Sequence, residues 1–192
     1  MKIILASRSG VRKKILDKYN IESDVVVSNV DEDQVKEALL SENATPLIIS
    51  KNLAELKSIR VSNKYPDCLV LGADSVISLN NELINKPKSR EEALNILKKL
   101  NNKKHYLISS VCISKNGSMI WNYTDKAALT MKKMSEDEIK EYLNKISDEA
   151  LFAYNVYQIE GEGRSLFLKI EGDEDTIMGL PVKKIKEYIN SL

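Results

Sequence analysis

The stretch LVLGADSVI, Leu69 to Ile77, decides how the chain is read. An apolar run, Leu69-Val70-Leu71, stops at Gly72-Ala73 and presents the acid Asp74, and a second apolar run begins at Val76. Gly and Ala let other atoms come close to the backbone. The pattern predicts a buried strand ending at a carboxylate, the kind of place where ligands gather in α/β proteins. A strand that ends in an ordinary turn Asp is the alternative this stretch leaves open.

Upstream, Lys2 to Ala6 reads as a buried strand, Ser7-Arg8-Ser9-Gly10 as a turn, and a helix follows to about Asn20 with Val11, Ile15, Leu16 and Tyr19 as its apolar stripe. Arg8, Arg12, Lys13 and Lys14 crowd the helix N-terminus, where the macrodipole favours anions. A phosphate held among them would relieve that conflict; a solvated basic face is the other reading. Ser23 to Asn29 reads as a second strand. It leads into Val30-Asp31-Glu32-Asp33, either a helix N-terminus or a contact for a divalent cation. Thr45-Pro46 opens a helix to about Ser62 with Ile49, Leu53 and Leu56 inward and Lys57 near the core edge. After Leu79 the turn Asn80-Asn81 returns the chain through Glu82 to Ile84. That return brings Lys86 towards Asp74 across a hairpin.

Downstream, Ser89–Glu92 and Ser135–Glu138 have capping-box spacing and open helices with apolar faces, Ala93, Leu94, Leu97 and Leu100 in the first and Ile139, Tyr142, Leu143 and Ile146 in the second. Tyr106 to Ser114 and Met119 to Met131 form a hairpin about Lys115-Asn116-Gly117-Ser118. A polar, glycine-rich loop, Ile159 to Arg164, precedes a strand at Leu166 to Ile170, an acidic turn at Glu171 to Asp175, and a last helix after Gly179-Leu180-Pro181. Helices and strands alternate around an antiparallel hairpin. The expectation is an α/β fold, a mixed β-sheet flanked by helices, with a smaller hairpin–helix lobe, in one domain over 1–192.

Composition narrows the function. Twenty-nine basic side chains meet 28 acidic ones for a net charge of +1, so no global field draws the chain to nucleic acid or to an anionic membrane. No apolar run is long enough to span a bilayer, and the apolar part of MKIILASRSG is too short for a signal peptide. Cys68 and Cys112 lack metal-site spacing and read as packed thiols of a reducing cytosol. His105 is the sole histidine, which argues against a His-rich metal cage. There is no GxxxxGK[ST], no GxGxxG and no nucleophile elbow. What remains is a basic strand–turn–helix, acids at Glu32 and Asp74, and lysines at Lys57 and Lys86. Phosphoryl transfer by direct attack of water needs such a set.

In order and spacing, ILASRSGVRKKIL, NVDED, LAELKS, GADSVI, NKPKSREEAL and MGLPV resemble the Maf family of nucleoside triphosphate pyrophosphatases, also described as septum-formation inhibitors. The resemblance runs along essentially the whole chain. It implies a fold similar to inosine triphosphate pyrophosphatases, cleavage of a nucleotide to its monophosphate and pyrophosphate, a divalent cation (Mg²⁺, Mn²⁺ or Co²⁺), a cytoplasmic setting and a homodimer. Carried over by residue, Asp74 matches the general base. Ser7 and Arg12 match the phosphate-binding start, with Lys13 a basic neighbour, and Lys57 and Lys86 match the family's two lysines. Glu32 matches an acid near the metal. Ser75 stands where the family usually has Thr.

Glu160 matches a base-reading position; a solvated loop acid is its other reading. An ionised Glu only accepts hydrogen bonds, which suits the adjacent N1–H and amine of guanine better than uracil or thymine. QIEGEG with LFLKIEGD is similar to the branch acting on 7-methyl-GTP, not the dTTP and UTP branch with Gln there. Three features depart from the family: SGVRK stands where its start reads SPRR, with Val11 and Lys13 replacing the Arg pattern. Val11 replaces the aromatic that the methyl-GTP branch tends to carry, and Phe152 to Tyr157 lacks an acid usual in the family. Tyr154 and Tyr157 are candidate base contacts or core residues. A dTTP/UTP pyrophosphatase and a non-catalytic nucleotide-binding regulator of cell division are the competing readings.

Overall fold

The computed structural model describes residues 2–192, and of Tyr154 the backbone alone. Tyr154 as a candidate base contact therefore lies outside the described side chains. The sheet is built outward from β3 (Val70–Leu79), which pairs antiparallel with β5 (Lys104–Lys115) along nearly its whole length. On its other edge, Val70 to Gly72 pair parallel with β1 (Ile3–Ala6), and Ile77 to Leu79 pair antiparallel with β4 (Glu82–Ile84). With β2 (Ser23–Val25), β6 (Ser118–Met131) and β7 (Phe167–Glu171), the order is β2-β1-β3-β5-β6-β7. The expected mixed sheet is present. LVLGADSVI is not a strand that ends at its acid, however, because β3 continues through Asp74 with β5 as partner. The strand that ends is β1, at Ala6 opposite Gly72. The second strand stops at Val25, four residues short of Asn29, because its only partner, β1, itself turns away after Ala6.

One face of the sheet is covered by α3 (Pro46–Ser62), capped by Thr45 with Pro46 at its start as the sequence indicates. Ile49 and Leu53 are fully buried, whereas Leu56 is 40% exposed and Lys57, its neighbour, is the inward residue. The other face carries α1 (Gly10–Lys18) and α8 (Val182–Asn190), where Ile15, Leu16, Val182 and Ile185 cluster with Leu5 and Leu71. Further along the same sheet, α4 (Arg90–Leu100), α5 (Glu136–Asn144) and α6 (Asp148–Tyr154) enclose Leu79, Leu129, Met131 and Tyr157. The hairpin β5–β6 thus belongs to the main sheet, and the expected smaller lobe is the helical cap on its far end. The Ser135–Glu138 capping box forms in full; at α4, Ser89 caps but Glu92 reaches the Lys88 N–H instead. Short helices α2 (Glu32–Ser41) and α7 (Glu174–Ile177) complete the chain. The helix α6 has no clear signature in the sequence, because its seven residues offer too few turns for an apolar stripe to show.

Gly72 lets α3 lie on β3. A Cβ there would stand 2.2 Å from the Ala54 carbonyl oxygen and 2.7 Å from the Ser58 nitrogen. Overpacking of this kind costs about 1–3 kcal/mol. Gly72→Ala is expected to lower the urea midpoint accordingly, and an unchanged midpoint would show that α3 is free to shift.

Candidate active site

Between Gly72 and Ile77 the outer edge of β3 has no strand beside it, since β1 has ended and β4 has not begun. The gap opens on a cleft of about 570 Å³. Successive side chains of a strand point to opposite faces. Asp74 shares the face of Gly72 towards α3, Ser75 faces α1, and both line the cleft.

Asp74 is 4% exposed. Its Oδ1 accepts from Lys57 Nζ at 2.8 Å, and its Oδ2 is buried with no partner among the described residues. Lys57, 5% exposed, also meets Glu32 Oε1 at 2.9 Å and the Ala73 carbonyl at 3.4 Å, so all three ammonium donors are occupied. Of the acids in the 31–33 cluster, Asp31 takes the helix N-terminus and Glu32 forms an ion pair. Asp31 caps α2 by accepting from the Gln34 N–H, and Glu32 turns to Lys57. Burial works against the Glu32 charge, but Lys57, then Lys36 and Lys86, outweigh it and hold this carboxyl below its ordinary range.

Arg12 enters the gap from α1. Nε donates to the Gly179 carbonyl at 2.9 Å, Nη1 to the Ala73 carbonyl at 3.0 Å and to Ser7 Oγ at 3.2 Å, and Nη2 to Ser75 Oγ at 3.1 Å. Four of five donors are used, and burial lowers its pKa. The serine protons behind it have a fixed direction. Ser109 donates to the Thr176 carbonyl at 2.8 Å, so the 2.8 Å contact between Ser75 and Ser109 uses the Ser75 proton, and Ser75 accepts from Arg12. Ser75 thereby orients Arg12. Lys86 Nζ lies 2.9 Å from the Ala153 carbonyl, with two donors free; burial of the ammonium lowers its pKa, against the pull of Glu32. Glu160, exposed, and Val11, half-buried, line the cleft. Lys13 does not: it pairs with Asp17 one turn along α1. Lys36, which the sequence reading missed, does line the cleft. The signal was its spacing, four residues after Glu32, which puts both on one helix face.

Tyr157 lines the cleft and is also core, edge-on to Phe167 at 4.8 Å, with its hydroxyl 2.9 Å from Nε2 of the fully buried His105.

The α/β sheet thus leaves an open edge at which a buried carboxylate stands among cations. Residues 2–192 match the family model described as Maf-like protein, and the chain belongs to that family. It is 70% identical over 187 residues to a nucleoside triphosphate pyrophosphatase of Pelagibacter ubique (strain HTCC1062), a match covering 97% of this chain and 96% of that protein. A 7-methyl-GTP pyrophosphatase of Brucella abortus biovar 1 (strain 9-941) is 37% identical over 182 residues, with 95% and 92% covered. A solved HAM1 protein from Coxiella burnetii overlaps 70% of this chain and 74% of its own, at TM-score 0.47 and 11% identity.

Burial lowers the His105 pKa from 6.5 to about 4. Between those values the unfolded chain binds a proton that the folded one does not, so the contribution is complete above pH 6.5 and fades as pH falls towards 4. The shift is worth about 3 kcal/mol. His105→Gln is expected to flatten the acid limb of stability by that amount relative to the native chain; parallel limbs in urea titrations would contradict it.

Proposed function

We propose that this chain hydrolyses a nucleoside triphosphate to its monophosphate and pyrophosphate, in the cytoplasm and as a homodimer. The observation that carries the reading is Asp74, whose Oδ1 is locked to Lys57 while Oδ2 has no partner among the described residues. A buried carboxylate oxygen left unpaired is costly, and a water or a cation would relieve it. Asp74 orients a water and takes its proton as the oxygen attacks the α-phosphorus. The bond from that phosphorus to the α–β bridging oxygen breaks, and pyrophosphate leaves. Lys86 and the remaining Arg12 N–H take up charge on the phosphate oxygens. Lys57 acts through Asp74, since it has no donor left for substrate.

The unpaired Asp74 Oδ2, together with Glu32, fits a hard divalent cation, which takes one or two carboxylates plus phosphate oxygens. Asp74 and Glu32 would hold Mg²⁺, Mn²⁺ or Co²⁺, which when bound supplies Lewis-acid neutralisation of phosphate charge. Among the described residues no three acidic, His or Cys side chains cluster, so the remaining ligands would come from phosphate and water.

Glu160 supports a guanine-type base, with 7-methyl-GTP the leading candidate, because its carboxylate accepts from two adjacent donors. Val11 gives that base an aliphatic contact in place of an aromatic stack.

The test is pyrophosphate release from a panel of GTP, 7-methyl-GTP, dTTP and UTP with each metal. Release is expected, and Asp74→Asn is expected to fold normally while losing two to four orders of magnitude in turnover, the contribution of about 10²–10⁴ typical of a positioned base. Binding without release across the panel would favour the regulator reading. Glu160→Gln is expected to move preference from guanine towards uracil and thymine by about tenfold or more, the worth of a charge-assisted hydrogen bond; an unchanged ranking would remove Glu160 from base reading.

A further inference from the structure

We propose that Lys36 receives the terminal phosphates of the substrate and so makes the cleft measure polyphosphate length, an inference that rests on the pyrophosphatase reading. The cations of the cleft differ in the donors they have left. Lys57 has none, Arg12 has one and Lys86 has two, while Arg8, exposed at the rim, gives one of its five to Asn29 Oδ1. Lys36 alone of these makes no hydrogen bond among the described residues, its ion-pair contact with Glu32 Oε2 at 4.0 Å lying beyond hydrogen-bond reach. Its side chain is nonetheless only 15% exposed and lines the cleft. A largely desolvated ammonium with no hydrogen-bonded partner among the described residues suits an incoming anion, and phosphate oxygens give it charge-assisted bonds.

Placement supports the terminal end of the chain. Glu160 lies in the loop after α6, whereas Lys36 stands one turn from Glu32 on α2. Lys36 thus sits with the acids that would hold the metal and the phosphates, on an element separate from the base-reading loop. The helix α2 has no buried residue, so a change at Lys36 leaves the core intact.

The experiment compares the full chain with Lys36→Gln and Lys36→Arg by calorimetry, using inorganic pyrophosphate and GMP as probes in Mg²⁺ buffer. Lys36→Gln is expected to weaken pyrophosphate binding about tenfold or more and to leave GMP binding unchanged, with Lys36→Arg restoring most of the loss. Unchanged pyrophosphate affinity in Lys36→Gln, equal losses for the two probes, or no pyrophosphate binding by the native chain would overturn the inference. Lys36-dependent pyrophosphate binding in a chain that cleaves no nucleotide would support it and reject the hydrolase reading alone.

Discussion

The site depends on a missing stretch of sheet. β1 stops at Ala6 while β3 runs on, and the backbone of Ala73 loses the strand that would have bonded it. A buried carbonyl without a partner is costly. Here Ala73 accepts from Arg12 at 3.0 Å and from Lys57 at 3.4 Å, one approaching from each face of the sheet. The defect in the sheet therefore recruits two cations, and the same gap gives a ligand access to Asp74 and Ser75, whose side chains point to opposite faces. An unbroken β1–β3 ladder would close this opening.

Lys57 is the joint between stability and chemistry. A charge so deeply buried is tolerated only when paired, and breaking such a pair typically costs about 3–5 kcal/mol. Two carboxylates from different elements, Asp74 on β3 and Glu32 on α2, share one ammonium. Lys57 thereby ties α2 to the sheet, although no residue of that helix is fully buried. The arrangement also leaves one Asp74 oxygen unpaired, because Lys57 spends its remaining donors on Glu32 and Ala73.

Much of this was legible from local pattern. The caps at Thr45 and Ser135, the Asn80-Asn81 hairpin and the buried run into Asp74 are statements about neighbours in sequence, and they hold. Legibility ended where a residue's role depends on distant partners. Lys57 and Leu56 are adjacent, yet only the packing of α3 on Gly72 decides which is inward. Arg12 reads as a free cation in sequence, whereas Ser7, Ala73, Ser75 and Gly179 claim four of its donors. Lys13, one residue on, turns by a helical step to Asp17 and leaves the cleft.

The polar stripe behind Arg12 explains why the cleft stays aligned. Ser75, Ser109 and Asp125 are register partners across β3, β5 and β6. They share a face and separate the Leu71 cluster from the Leu79 cluster. Thr176 closes the row, its carbonyl accepting from Ser109 and its hydroxyl donating to Asp125 at 2.8 Å. Because each proton has one available direction, the row can be satisfied in only one sense, from Arg12 through Ser75 and Ser109 to Thr176. Buried networks that are fully satisfied specify a single arrangement. The guanidinium is therefore fixed by the sheet before any ligand arrives, and its one remaining N–H keeps a fixed position with it.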